Sequence, residues 1–140
     1  MSNIKELQSE LIEEFELFDD WMEKYEHIIT LGKELPIIED AYKVDENLIK
    51  GCQSRVWLQA ETEGDRVRYK ADSDAIITKG IVALLIRVLD NQKAEDIIAA
   101  DMSFLDQIGL KEHLSPTRAN GLVSMVKQMK AYALAYSVKQ

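Results

Sequence analysis

A pair of alternating segments separated by two residues limits the possible folds of this chain more than any other feature. Apolar and polar side chains alternate in residues 54–63 and 66–73, and Gly64-Asp65 between them is typical of a two-residue hairpin turn. The register of such a hairpin puts charged side chains on one face and apolar ones on the other: Glu63 with Arg66, Glu61 with Arg68, Gln59 with Lys70, Ala60 with Tyr69 and Leu58 with Ala71. The sequence therefore predicts an antiparallel hairpin with a solvated, charge-paired face, and this pairing argues against a nucleic-acid site on the basic strand.

Two amphipathic helices are predicted before the hairpin. Apolar side chains recur every three or four residues after a cap at Ser2 or Asn3, which predicts the first helix. Asp20 is predicted to cap a second helix that stops at Gly32. Residues 33–47 show no periodicity and are predicted to form a loop.

A buried helix and two further helices are predicted after the hairpin. Ser73 as cap and Asp74 in the first turn are expected to begin a helix over residues 74–89 that is apolar on most sides. Gly80 inside it costs about 1 kcal/mol relative to alanine unless another element packs closely there. The further helices are predicted around residues 94–100 and from the cap-and-proline pair Ser115-Pro116 toward Tyr136.

The charge of the chain is uneven. The net charge is -8, and residues 1–50 carry 5 Lys and Arg against 14 Asp and Glu. An acidic third repels phosphate, so we expect no nucleic-acid partner. Four of these side chains, Glu10, Glu13, Glu14 and Glu16, are interpreted as a solvated helix face, and the alternative is a docking surface for a basic partner.

Length and composition favour one globular domain over residues 1–140, because a chain of this size can bury a core without cross-links. Residues 76–89 are the longest apolar stretch and fall short of a membrane span, so we expect no membrane association. The N-terminal residues have no basic and apolar export pattern, which makes the cytoplasm the expected location.

The chain contains one cysteine, Cys52, which excludes an intrachain disulfide and a zinc site built on cysteines. The two histidines, His27 and His113, have no ligand-like spacing, so no metal site is predicted and His27 is expected to be a surface residue.

The surroundings of Cys52 leave two interpretations open in about equal measure. A lone cysteine is usually a small, inert, buried side chain. Here Gly51 allows a sharp turn and close approach of another molecule, and Lys50 and Arg55 are expected to lower the pKa of the thiol, which favours a reactive thiolate.

Three segments resemble one known family. Residues 51–57 (Gly-Cys-Gln-Ser-Arg-Val-Trp) look like the cysteine motif of SufE-type cysteine desulfuration proteins, the sulfur acceptors of iron-sulfur cluster assembly. Residues 72–75 (Asp-Ser-Asp-Ala) with Lys79-Gly80, and residues 113–118 (His-Leu-Ser-Pro-Thr-Arg) with Asn120-Gly121, agree with that family in order and spacing.

This resemblance implies an α+β fold, in which a small antiparallel sheet packs against helices as in IscU-type scaffolds. It implies that Cys52 takes sulfane sulfur from the persulfide of a cysteine desulfurase, holds it as a persulfide, stimulates that enzyme and passes the sulfur to a SufBCD-type Fe-S scaffold complex. The protein would have no turnover of its own and no cofactor, since pyridoxal phosphate belongs to the desulfurase. The resemblance further assigns supporting or partner-facing roles to Gly51, Gln53, Ser54, Asp74 and Arg118.

Three alternatives are separated from this hypothesis by simple observations. An IscU-like scaffold needs several cysteine ligands for a cluster, and this chain has one. A redox-sensing module would form a sulfenic acid or mixed disulfide at Cys52. An interaction module would not use the thiol at all. The sequence is compatible with a monomer or a homodimer.

Overall fold

The computed structural model describes residues 3–139 as seven helices around a three-stranded antiparallel sheet with strand order β1-β2-β3. The helices are α1 (Ile4–Glu16), α2 (Trp21–Gly32), α3 (Ile76–Leu89), α4 (Ala94–Ala99), α5 (Phe104–Gln107), α6 (Leu110–His113) and α7 (Pro116–Lys139). The strands are β1 (Val56–Glu63), β2 (Arg66–Ser73) and β3 (Gln92–Lys93). The predicted α+β fold is confirmed, and β3, α5 and α6 are elements that the sequence patterns did not indicate.

The hairpin has the predicted register at every position, from Glu63 opposite Arg66 to Leu58 opposite Ala71. Gly64 has φ 65°, a left-handed conformation that glycine adopts without the steric cost of a side chain. The charged face is paired differently from the prediction. Arg68 bonds diagonally to Glu63 at 3.1 Å and to Asp90 at 3.2 Å, outside the hairpin.

Helix α3 is the central buried element and crosses α2 at two glycines. A methyl group on Gly80 would lie 2.1 Å from the carbonyl oxygen of Ile28, and one on Gly32 would lie 3.0 Å from the backbone nitrogen of Gly80. This close approach explains the glycine that was predicted to need a packing partner. Gly32 is the last residue of α2, and here it is the close approach to α3 that requires a glycine.

The start of α3 corrects a prediction. The helix begins at Ile76, so Ser73 belongs to β2 and Asp74 precedes the helix. The two side chains bind the backbone of Arg55 instead of capping a helix: Ser73 Oγ donates to the Arg55 carbonyl at 2.8 Å, and Asp74 Oδ1 accepts from the Arg55 N–H at 3.0 Å. Both contacts tie the end of β2 to the residue before β1.

The caps of the N-terminal helices follow the prediction. Asn3 Oδ1 accepts from the backbone N–H of Glu6, and Asp20 Oδ1 accepts from that of Glu23, both at 2.9 Å. The alternative cap Ser2 lies outside the described residues. At the other end of the chain, Ser115 Oγ accepts from the Arg118 N–H at 3.3 Å and begins α7 as predicted.

Glu14 and His27 correct two further predictions. Glu14 was interpreted as part of a solvated face, and it instead makes a bidentate ion pair with Arg87 of α3 at 3.0 Å. His27 Nε2 lies 2.6 Å from the same carboxylate and is half-buried beside Phe15, so it is not a simple surface residue. The three side chains join α1, α2 and α3, whereas Glu10, Glu13 and Glu16 are exposed as predicted.

The predicted loop before the cysteine is held against the sheet; we call residues 36–49 the strap. The Ile38 N–H donates to the Ala71 carbonyl at 3.2 Å, and the Ile49 N–H donates to the Val56 carbonyl at 2.9 Å. Two short 3-10 turns, Asp40–Tyr42 and Asp45–Asn47, lie between these anchors. Within the described part of the chain, no helix is both long and apolar enough to cross a bilayer.

Candidate functional site

Cys52 lies in the segment between the strap and β1; we call residues 50–55 the cysteine loop. Gly51 has φ 94°, in the left-handed region that favours glycine. A methyl group on Gly51 would also fall 2.5 Å from Ser124 Oγ of α7. Glycine at 51 therefore lets the backbone turn and lets the loop lie directly against α7.

A small pocket of about 60 Å³ surrounds the Cys52 side chain; we call it the cysteine pocket. Three of the residues assigned by resemblance, Gln53, Ser54 and Arg118, line it together with Cys52. The remaining lining comes from α3 and α7: Thr78, Ile81, Thr117, Gly121 and Met125. The fold thus brings the cysteine motif and the beginning of α7 to one place, although 65 residues of sequence separate Gln53 from Arg118.

The thiol is half-buried and bonded to the backbone of α7. Cys52 Sγ donates to the Gly121 carbonyl oxygen at 3.6 Å, and the desolvation that comes with burial raises the pKa of Cys52 above its ordinary value. The prediction that Lys50 and Arg55 lower this pKa is wrong, because burial outweighs any effect of these two exposed side chains. The resting cysteine is therefore a protonated thiol at neutral pH.

Asp74 and Gly51 support the cysteine loop from outside the pocket. The Asp74 carboxylate is exposed and fixes the Arg55 backbone at the end of the loop. Gly51 allows the beginning of the loop to lie against α7, where a side chain would not fit. Cys52 thus lies between a residue packed close to α7 and a residue bonded to the end of β2.

A nearly buried carboxylate anchors the strap that leads into the loop. Asp72 binds Lys43 of the strap at 2.7 Å and Lys79 of α3 at 3.4 Å, and it accepts from the Ser73 N–H at 2.8 Å. Burial raises the pKa of Asp72, but its bonds to Lys43 and Ser73 outweigh burial and hold the pKa below the ordinary range. Lys43 Nζ also lies 5.8 Å from the centroid of the Trp57 ring.

His113 is placed away from the thiol chemistry. Its Nδ1 lies 2.9 Å from the Gly109 carbonyl oxygen, and its ring stacks on Trp21 with centroids 4.5 Å apart. These contacts fix the turn before Ser115, so the role of this histidine is structural.

Five pocket residues were not assigned to the site from the sequence: Thr78, Ile81, Thr117, Gly121 and Met125. Gly121 belongs to one of the three family motifs but was given no role at the thiol. The spacing from Arg118 could have indicated two of them, because Gly121 and Met125 follow it by three and seven residues and therefore lie on the same face of the helix. The contact of that face with Cys52 depends on packing between distant segments, which no local pattern contains.

The described residues hold no group of three His, Cys, Asp or Glu side chains that could bind a metal ion. The chemistry available at this site in residues 3–139 is accordingly that of a single thiol, an arginine and hydrogen-bonding groups in a small pocket.

Comparison with known proteins places this geometry in context. Residues 9–133 match the family described as "SufE: Fe-S metabolism associated domain". An uncharacterized SufE-like protein of Rhizobium meliloti is 36% identical over 129 residues, which are 89% of this chain and 92% of that protein. SufE-like protein 1, chloroplastic/mitochondrial, of Arabidopsis thaliana is 39% identical over 140 residues, which are 97% of this chain and 38% of that longer protein.

One solved structure shows the same fold. The solution structure of a hypothetical protein from Thermus thermophilus aligns with a TM-score of 0.77, covering 92% of this chain and 94% of its own. Its sequence is 20% identical, so this likeness concerns the arrangement of helices and sheet.

Proposed function

The chain belongs to the SufE family of Fe-S metabolism, and from this premise we propose that Cys52 accepts sulfane sulfur from the persulfide of a cysteine desulfurase. The observation that carries the proposal is the position of the single cysteine. Cys52 lies on a loop, in a pocket too small for an ordinary metabolite, beside Arg118. Such a site suits the transfer of one atom between two proteins better than the binding of a small substrate.

The proposed step exchanges one sulfur-sulfur bond for another. The Cys52 thiolate attacks the terminal sulfur of the donor persulfide, and a bond forms between Sγ and that sulfur. The bond between the terminal sulfur and the donor cysteine breaks, and the donor leaves as a thiolate. The proton lost by the Cys52 thiol balances the charge on the donor thiolate, so no oxidant or reductant is consumed.

The resting geometry implies that the thiol must change its surroundings before it reacts. Its pKa is raised by burial, and its proton is directed at the Gly121 carbonyl, so little thiolate is present at neutral pH. Outward movement of the cysteine loop would break this bond, hydrate the sulfur and increase the thiolate fraction. The partner's surface therefore acts on both the position and the protonation of Cys52.

The role of Arg118 in this proposal is to stabilise negative charge on sulfur or to bind the donor. It lines the same pocket as the thiol, and its guanidinium carries a permanent charge. Gln53 and Ser54 shape the part of the loop that would move.

After transfer, Cys52 would hold the sulfur as a persulfide and pass it to an Fe-S scaffold complex. Pyridoxal phosphate would belong to the donor, and this chain would show no turnover alone. A lone thiol that must stay reduced suits the cytoplasm as the place of this reaction.

Intact mass measurement tests the proposal. The purified protein is incubated with a cysteine desulfurase and free cysteine, and we expect it to gain the mass of one sulfur atom and to increase the rate of cysteine desulfuration. Cys52→Ser should show neither effect. An unmodified wild-type protein together with an unstimulated desulfurase would contradict the proposal, and a gain of oxygen without added desulfurase would favour a redox sensor instead.

A second variant tests Arg118. We expect Arg118→Ala to lower the rate of sulfur uptake at least fivefold with the fold intact, since it removes a charge from the pocket. Arg55→Ala is the matched control, because Arg55 lies in the same loop and does not line the pocket. Equal rates for the two variants would remove Arg118 from the site.

A further inference from the structure

A polar groove lies next to the cysteine loop. The contact between Gly51 and Ser124 lies between this groove and the cysteine pocket. The groove has a volume of about 450 Å³ and runs between the strap and α7. Lys50 and Lys127 supply its two positive charges, and we call it the lysine groove. Its other lining side chains are mostly neutral and can form hydrogen bonds, among them Asn47, Ser124, Gln128 and Tyr132.

No ion pair among the described residues explains the positions of the two lysines. Both are exposed, and neither has a carboxylate within 4 Å among the described residues. Lys130, one turn further along α7, differs because its Nζ is bonded to the Ala100 carbonyl at 2.6 Å. Glu46 also lines the groove but is exposed and more than 4 Å from either ammonium group.

Two segments of the chain that contribute to the groove differ in charge from the rest of the sequence. Residues 47–60 and 114–140, which include the cysteine loop and α7, contain six Lys and Arg and no Asp or Glu. The remaining residues contain 11 Lys and Arg against all 25 Asp and Glu. The cysteine loop and α7 therefore contribute only positive charges to the lysine groove, and Glu46 of the strap is the carboxylate among its lining residues.

This distribution orients an encounter. An acidic partner is repelled by the acidic remainder of the chain and attracted by Lys50 and Lys127 of the groove, so that electrostatic forces turn Cys52 toward the partner before contact. A basic partner would be oriented with Cys52 pointing away.

We infer that the lysine groove binds a carboxylate-rich segment of the sulfur donor while Cys52 reacts with that donor's persulfide. The inference rests on the proposed function, because it takes the molecule that meets Cys52 to be a protein that carries sulfur. Lys50 and Lys127 bind carboxylates of this segment, and the neutral side chains between them bind its backbone. The groove begins at Lys50, close to Cys52 in the same loop, so a segment bound there holds the donor beside the thiol.

The concentration dependence of sulfur uptake tests the inference. The double variant Lys50→Glu/Lys127→Glu is expected to raise the half-saturating concentration in the desulfurase assay about tenfold, with the rate at saturation unchanged. The difference should shrink as salt is raised, because exposed charges are screened over about 8 Å at physiological ionic strength. Lys33→Glu, at an exposed position after α2, is the control and should leave the half-saturating concentration unchanged.

A second measurement does not need the desulfurase. Titration of the peptide Glu-Glu-Glu-Glu into the 15N-labelled protein should shift the backbone resonances of Lys50, Ser124 and Lys127 and leave those of Lys33 in place. Shifts confined to other residues, or tighter binding of a short single-stranded oligonucleotide at the same residues, would overturn the inference.

The two proposals fail in different ways. A wild-type protein that takes up no sulfur contradicts the proposed function whatever the lysine variants do. A wild-type protein that takes up sulfur with the same concentration dependence as Lys50→Glu/Lys127→Glu contradicts the lysine groove alone.

Discussion

Two buried helical glycines show how differently two regions of this molecule are packed. Gly80 of α3 packs against the backbone of α2, where a methyl group would meet a carbonyl oxygen at 2.1 Å. Gly121 of α7 packs against Cys52, where the nearest atom to a methyl group would be Sγ at 3.5 Å. The first glycine lies in the sheet–helix frame, which we define as β1, β2, α2 and α3, and the second lies at the cysteine loop.

The difference concerns what each contact can tolerate. Two helix backbones in contact cannot move apart without disturbing a fully buried core that includes Leu84, Leu85 and Val88. The Cys52 side chain is bonded to α7 by one thiol hydrogen bond of 3.6 Å, and breaking that bond costs less than separating two packed helix backbones. We therefore expect substitutions in the sheet–helix frame to change the free energy of unfolding. Substitutions at the cysteine loop should instead change the reactivity of the thiol.

Gly80→Ala should have the largest effect on stability. The added methyl group forces α2 and α3 apart, and we expect the free energy of unfolding to fall by about 3 kcal/mol, near the upper end for overpacked sites. Urea unfolding of the wild type and the variant measures this loss of free energy. Gly64→Ala is the control, since its φ of 65° is strained but nothing lies within 4 Å of the new methyl group, and it should cost only about 1 kcal/mol. Equal losses in the two variants would show that the helix crossing is not tight.

Glu14→Gln should have the next largest effect. The substitution weakens the ion pair with Arg87 and the contact with His27, both partly buried, and we expect urea unfolding to show a loss of about 1.5 kcal/mol. Glu13→Gln on the exposed side of α1 is the control and should change stability by less than about 0.5 kcal/mol.

The stability that Glu14 contributes should also depend on pH, and it should be lost on the acidic side. Burial raises the pKa of Glu14, but bonds from Arg87 and His27 outweigh it and hold the pKa below the ordinary value. A lowered pKa contributes stability above the unfolded-state pKa of about 4.3, and this contribution disappears as the pH falls through the folded-state pKa. The difference between wild type and Glu14→Gln should vanish under acidic conditions, and a difference that persists there would assign it to packing.

The hairpin could be predicted pair by pair because its register depends only on a two-residue turn and on alternation within about 20 residues. The role of Glu14 could not, since it depends on Arg87, which lies 73 residues further along the chain. Asp74 lies opposite Arg55 at the end of the same hairpin, and its role was missed because Ser73-Asp74 also has the pattern of a helix start. The motif around Cys52 was recognisable, but the direction in which the pKa of the thiol is shifted was predicted wrongly. Burial of Cys52 against Gly121 is a contact across 69 residues, and it decides the direction of the pKa shift.

Gly121→Ala should have the smallest effect on stability and the clearest effect on the thiol. Its methyl group would lie in ordinary contact with Cys52, at 3.5 Å from Sγ and 3.8 Å from Cα, so nothing in the frame must move. Alanine is favoured over glycine inside a helix by up to about 1 kcal/mol, and we expect a gain of up to that size. Because the methyl group also covers the sulfur, alkylation of Cys52 by iodoacetamide should slow severalfold. A loss of stability comparable to that of Gly80→Ala would mean that the cysteine loop is as rigid as the frame, whereas unchanged alkylation would mean that the thiol reacts only after the loop has left α7.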